Sequence, residues 1–136
     1  MRILNENKNI NDTLKSATQR WINNPNNPDY WTDFYEAKPN GDGTFTIICK
    51  CVKMPYENVI EMFCDFVGAG QAYDKGDWTC QTPWNYWQKN CEGKRAMHPD
   101  SEKLIKKLLS TLAVYETLDD FVKWYNKNKE KLERNY

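Results

Sequence analysis

Apolar side chains recur at helical spacing in four stretches of the chain, which predicts four helices. The first stretch must end before Pro25, because the residue that precedes a proline avoids helical backbone. The second begins at Pro55, which suits a first helical turn, and Gly68 is a suitable C-terminal stop. The apolar stripes of these two helices are Ile10, Leu14, Ala17 and Trp21, then Val59, Ile60, Phe63, Phe66 and Val67.

The other two stretches predict a pair of helices toward the C-terminus. Pro99 opens the third helix, where acidic residues would face the positive end of the helix dipole. Thr117 caps the fourth, with Asp120 three residues later in an imperfect capping box. The tail from Lys127 to Tyr136 is expected to be solvated. The two apolar stripes are Leu104, Ile105, Leu108, Leu109, Leu112 and Ala113, then Leu118, Phe121, Val122, Tyr125 and Leu132.

A β-hairpin is predicted between the first and second helices. Asn-Gly and Asp-Gly pairs at 40–43 are strong turn signals, and the arms on either side span about 30–38 and 44–53. A lone hairpin is marginally stable in water, so a third strand is expected from the N-terminus, from residues 71–80 or from a second subunit. The predicted fold class is α+β, with a small antiparallel sheet built on the hairpin at about 30–53 and packed against about four helices.

The length of 136 residues suits a single domain over 1–136, with residues 1–9 and 133–136 expected to fray. A net charge of zero lacks the basic footprint of a general nucleic-acid binder. The chain has no run approaching the ~20 apolar residues of a membrane span, and no apolar leader. An odd number of cysteines then favours reduced thiols, so a cytoplasmic protein without a membrane partner is expected.

Residues 73–91 concentrate large aromatic side chains in a segment without a sustained helix or strand period. Three of the six tryptophans fall within ten residues here, and a short helix could run from Pro83 to Asn90. Aromatic rings on irregular backbone either fill a core or form a surface that binds a partner. Tryptophan and tyrosine dominate the energetic centres of protein interfaces, and loops on a rigid scaffold commonly carry recognition.

The sequence therefore favours a non-enzymatic accessory protein that binds a protein partner stoichiometrically. It contains no recognisable catalytic, cofactor or metal motif. The chain is small and rich in Asn and Lys, which have A/T-rich codons, and this suits an inhibitor encoded by a phage or another mobile element. A homodimer is also compatible with the sequence. The residues expected to bind the partner are Trp78, Trp84, Tyr86, Trp87, Lys94 and Arg95.

Two alternatives from other classes stay open. A nucleic-acid-binding module would use Lys, Arg and Trp side chains at about 84–107, because aromatic rings stack on bases and cations hold phosphates. A small zinc protein would use thiols and the single histidine, although the chain lacks the closely spaced cysteine pair of a structural zinc knuckle. The candidate zinc ligands are Cys49, Cys51, Cys80, Cys91 and His98, and the last two could also form a thiol–imidazole pair.

Overall fold

The computed structural model describes residues 24–136. It divides into two compact units. Among the described residues, the first unit comprises 24–53 and Ala96–His98, and the second comprises Met54–Arg95 and Pro99–Tyr136. The helix predicted from Ile10 to Trp21 lies outside the described residues, as does the N-terminal candidate for a third strand. The single domain over 1–136 stays a prediction.

The first unit contains the hairpin. Strand β1 (Thr32–Pro39) pairs antiparallel with β2 (Phe45–Cys51), which confirms the hairpin predicted at about 30–53. The turn includes two glycines at φ +83° and +86°, a left-handed conformation that glycine adopts without steric cost. The first arm starts later than expected, because Pro28–Trp31 forms a 3-10 turn.

The strand register shifts by one residue within β1. Phe34 pairs with Cys49 whereas Glu36 pairs with Ile48, so the backbone contains a β-bulge between them. The bulge interrupts the strict alternation of faces that a regular strand would have. Within 24–136 the sheet has two strands, and residues 71–80 do not supply a third because most of them are helical.

The second unit is helical. Its fourteen-residue third helix is the most deeply buried, and it packs on the other three. Together with the hairpin, the four described helices confirm the predicted α+β class. The helices are α1 (Tyr56–Asp74), α2 (Thr82–Asn90), α3 (Pro99–Leu112) and α4 (Leu118–Asn135), and a 3-10 turn (Lys75–Asp77) follows α1.

Helix α1 does not stop at Gly68, so that prediction is wrong. The helix continues for six more residues, and in this extension Gly70 lies against the Trp78 indole, so tertiary context outweighs the low helix propensity of glycine. A Cβ at Gly68 would meet no atom within 4 Å. The helix ends instead at Lys75, which adopts φ +42° and donates its backbone N–H to Gln71 O.

A ring of three hydrogen bonds joins the start of α1 to α3 and to the last residue of the chain. Met54 N–H donates to the buried Ser101 Oγ at 3.0 Å. Ser101 and Tyr136 share a hydrogen bond of 2.6 Å between their hydroxyls, and the Tyr136 hydroxyl donates to Met54 O. Because tyrosine has one hydroxyl proton, Ser101 must donate to Tyr136. The tail at 127–136 is helical to Asn135, and seven of its ten residues are exposed as expected, with Leu132 buried on the apolar stripe.

Replacing Ser101 with alanine is expected to lower the free energy of unfolding by about 1–3 kcal/mol, because the buried Met54 N–H loses its acceptor. Urea unfolding monitored by circular dichroism measures the change. Ser110→Ala is the matched control, since Ser110 is half-buried and bonds only to Lys107 O within its own helix. Equal stability losses in the two variants would contradict a structural role for the hydrogen-bond ring.

Candidate functional site

An open apolar groove lies between α1 and α4 in the second unit, with a volume of about 260 Å³. It is called the α1–α4 groove below. The α1 wall is a single helical stripe, because its members are three or four residues apart and share one face. The lining residues are Ile60, Phe63, Cys64, Val67, Gly68 and Gln71 from α1, and Leu118, Phe121, Val122 and Tyr125 from α4.

Phe121 is the best-buried side chain of the α4 wall. Its ring centroid lies 5.2 Å from that of Phe63 and 5.6 Å from that of Trp124. Tyr115 and Tyr125 contribute further ring contacts at 6.5 Å each. Aromatic pairs at such distances stabilise one another by ~0.5–1.5 kcal/mol beyond simple burial, so Phe121 anchors this wall of the groove to its neighbours.

Tyr125, a member of the groove lining, is paired with Tyr56 at the start of α1. The hydroxyls of Tyr56 and Tyr125 lie 3.1 Å apart, and Tyr56 Oη is 3.5 Å from Lys129 O. Desolvation and the hydrogen bond to Tyr125 raise the pKa of Tyr56 well above its usual range. The phenol is therefore neutral at physiological pH and acts as a structural group.

The lining carries no charged side chain, and four of its ten residues are exposed: Cys64, Gly68, Gln71 and Val122. The exposed fraction of Val122 is 44%. Burial of the sulfur raises the pKa of the Cys64 thiol, and the carboxylates of Asp65 and Glu61 raise it further. A neutral thiol is a poor nucleophile. The chemistry of the groove is thus that of an apolar binding surface.

Of the residues predicted to bind a partner, Trp87 must be withdrawn, because it is 0% exposed and belongs to the core. Helix α2 ends just after it, and the backbone N–H groups of Cys91 and Glu92 both donate to Trp87 O. This turn brings the Glu92 carboxylate to the indole, which donates to Oε2 at 3.0 Å. The ring of Phe66 packs edge-on at 6.1 Å.

The other predicted binding residues lie at or near the surface. Trp78 is half-buried over Gly70, where a Cβ would be 3.4 Å from the indole nitrogen. Trp84 is half-buried, and Tyr86 is 54% exposed with its ring 5.5 Å from Phe66. Lys94 and Arg95 are both exposed, and Lys94 Nζ donates to Lys89 O at 3.4 Å. Their role in binding stays a prediction.

Sequence reasoning did not identify the groove residues as a site. It assigned Leu118, Phe121, Val122 and Tyr125 together to a buried face, although Val122 stands at the open lip. The α4 stripe has apolar residues at both three- and four-residue spacing, which is the ordinary pattern of a helix that packs against a core. The stripe of α3 has the same spacing and is buried, so the sequence contained no signal that distinguished the groove wall.

Glu92 links α2 to α3. Its Oε1 accepts from Lys106 Nζ at 2.6 Å, while Oε2 accepts from the Trp87 indole. These hydrogen bonds, chiefly the one from Lys106, hold the pKa of Glu92 below its ordinary value of 4.5. The same contact raises the pKa of Lys106. Lys106, a member of the predicted nucleic-acid surface, is therefore engaged in an ion pair.

The Glu92 ion pair predicts a defined pH dependence. A carboxyl with a lowered folded-state pKa stabilises the fold above its unfolded pKa, and this stabilisation disappears as the pH falls through the folded value. Urea midpoints of wild type and Glu92→Gln should therefore differ at about pH 7 and converge toward about pH 3. Glu130→Gln, at an exposed position on α4, is the control. A pH-independent gap would contradict the ion-pair account.

Among the side chains that the structure describes, which do not include that of Cys49, no three His, Cys, Asp or Glu side chains come together as a zinc site would require. Cys80 and Cys91 are buried thiols outside any disulfide. Burial, followed by the charge of Asp120, raises the pKa of Cys80.

In the described part of the chain, no helix combines the length and apolar character needed to cross a bilayer.

Comparison with known proteins gives one match. No curated protein and no solved structure matches the chain. Residues 5–111 match a protein family, and this stretch includes the hairpin, α1, α2 and nearly all of α3. Helix α4, which supplies one wall of the groove, follows the matched stretch. Because the match covers most of the 136 residues, the chain belongs to the family of unknown function DUF5662.

Proposed function

We propose that this protein is a small non-enzymatic accessory protein that binds a protein partner stoichiometrically through the α1–α4 groove. The observation that carries the proposal is an uncharged apolar lining that stays open to water, with Val122 44% exposed at its lip. Burying such surface contributes about 25 cal/mol per Å² of apolar area. Contiguous exposed apolar patches commonly mark protein–protein interaction sites.

The size and chemistry of the groove support binding of side chains over turnover of a substrate. Its volume of about 260 Å³ falls below the ~300–1,000 Å³ typical of small-molecule sites. General acid–base catalysis needs a titratable group poised near the working pH. The lining offers only the Cys64 thiol and the Tyr125 phenol, and the pKa of the thiol is raised.

The aromatic segment acquires a supporting role in this proposal. Trp87 fills the core behind α1, and Trp78 packs on Gly70, so these rings hold α1 in place. Tyr86, Trp84, Lys94 and Arg95 can extend the contact surface beyond the groove. A short chain rich in Asn and Lys suits an inhibitor carried by a phage or another mobile element, which would act by covering a surface of its target.

Affinity capture with groove variants tests the proposal. Tagged wild type would be incubated with a lysate of the source organism, alongside Gly68→Trp, which places an indole in the groove, and Val122→Asp, which charges its lip. The affinity of each variant for the captured protein should fall at least about tenfold, which is equivalent to ~1.4 kcal/mol. Sedimentation of the purified complex should give a fixed stoichiometry.

Gly68→Ala is the matched control for the blocking variant. It changes the same position but adds only a methyl group into open space, and it should raise helix stability by about 0.5–1 kcal/mol. It should therefore retain the captured protein. If both blocking variants keep native melting temperatures and still capture the same protein as wild type, the groove is not the binding site.

A further inference from the structure

We infer that the occupant of the α1–α4 groove is a basic amphipathic helix of a partner protein, an inference that rests on the proposed function. Two observations point to this chemistry. The first is the shape of the apolar stripe on α1, and the second is the sign of the charge along the outer edge of that helix.

The stripe on α1 has the dimensions of a helix-binding surface. It runs from Ile60 to Gln71, and the eleven steps between these residues, at a rise of 1.5 Å each, give a length of about 16 Å. About three turns of a partner helix match that length. Helix-in-groove complexes anchor side chains at i, i+3 or i+4, and i+7. A volume of about 260 Å³ leaves room for a few such anchors and not for a second folded layer.

The charge on α1 has one sign. The nineteen residues of this helix include four acidic side chains and no lysine, arginine or histidine. Glu57 precedes Ile60 by three residues, and Glu61 precedes Cys64 by three, so both exposed carboxylates lie along the outer edge of the stripe. Asp65 follows Cys64 and is also exposed. A partner helix in the groove would therefore meet carboxylates along its α1 side.

The negative field reaches the wall of the groove. Asp65 and Glu61 both raise the pKa of Cys64, whose sulfur lies in the lining. The α4 edge is mixed in sign, because Asp119 precedes Val122 by three residues while Lys123 follows it. The charge preference is thus set by α1. Lysine or arginine beside the apolar stripe of the partner would be favoured, and carboxylates there would be repelled.

A pair of synthetic helical peptides tests the inference on the full-length protein. Both carry the same leucine stripe at i, i+3, i+4 and i+7, and the flanking positions are all lysine in one peptide and all glutamate in the other. Fluorescence anisotropy should show at least about tenfold tighter binding of the lysine peptide. The preference should shrink as salt rises from about 0.05 M to about 0.5 M, because exposed charges are screened.

Variants locate the effect. Gly68→Trp should weaken both peptides, whereas Gly68→Ala should weaken neither. Glu57→Gln should reduce the preference for lysine, whereas Asp77→Asn, which also removes an exposed carboxylate but lies in the 3-10 turn outside the lining, should not. Melting temperatures show that each variant is folded.

Two results would overturn the inference and leave the proposed function standing. The first is binding of the glutamate peptide that is as tight as that of the lysine peptide and is abolished by Gly68→Trp. The second is failure of both peptides to bind while lysate capture remains groove-dependent. Loss of groove dependence in the lysate capture itself would overturn the proposed function as well. Binding of the lysine peptide that Gly68→Trp leaves unchanged would also count against the inference.

Discussion

Replacing Trp87 with alanine is expected to lower the free energy of unfolding by about 3–5 kcal/mol, the range typical of large aromatic deletions from a core. The side chain is 0% exposed and packs against Phe66. Its removal would also deprive Glu92 Oε2 of the indole N–H that it accepts at 3.0 Å. Urea unfolding with fits of the midpoint and slope would measure the change.

Tyr86→Ala is the matched control for the Trp87 variant. Tyr86 is the adjacent residue of the same helix and is 54% exposed, so its loss should cost less than about 1 kcal/mol. Trp87→Phe should fall between the two, because it keeps most of the apolar volume but not the N–H donor. Similar losses for Trp87→Ala and Tyr86→Ala would refute the assignment of Trp87 to the core.

The contrast between Trp87 and Tyr86 shows what local sequence cannot specify. Helix α2 has nine residues, and its mixture of large rings and amides has no clear apolar stripe. Adjacent helical positions differ by about 100° in direction, so the burial of Trp87 and the exposure of Tyr86 depend on where α1 and α3 lie. Sequence predicted the existence of this helix but not which of its rings is buried.

Elements with strong local signals were predicted correctly. The hairpin follows from turn residues and period-two alternation, and α3 follows from its apolar stripe. The start of α4 follows from Thr117, whose hydroxyl accepts from Asp120 N–H at 3.2 Å. The end of α1 was predicted wrongly at Gly68, because the helix continues to Asp74, with the Trp78 indole packed over Gly70 in that extension.

The α1–α4 groove could not be predicted in the same way. Its two walls are more than forty residues apart in sequence, between Gln71 and Leu118. Local patterns assign each apolar stripe to a buried face but contain no distance between helices. Whether an apolar side chain of either stripe is buried or lies on an open surface depends on where α1 and α4 are placed.

Replacing Phe121 with alanine is expected to lower the free energy of unfolding by about 3–5 kcal/mol, because a buried ring is lost and a cavity is left. Phe121 packs against Phe63 and Trp124, and it also lines the groove. The variant should therefore both destabilise the second unit and deepen the groove. Thermal unfolding measures the loss of stability. Fluorescence anisotropy with the lysine peptide measures how the altered groove changes peptide binding.

Two substitutions separate stability from binding at this wall. Val122→Ala changes the next residue, which is 44% exposed, and should cost less than about 1 kcal/mol of folding stability while weakening the lysine peptide. Phe121→Leu keeps an apolar side chain and should cost about 1–2 kcal/mol, since aromatic contacts are lost without a large cavity. If Val122→Ala destabilised the fold as much as Phe121→Ala, the lip of the groove would be part of the core, and the open apolar surface on which peptide binding depends would not exist.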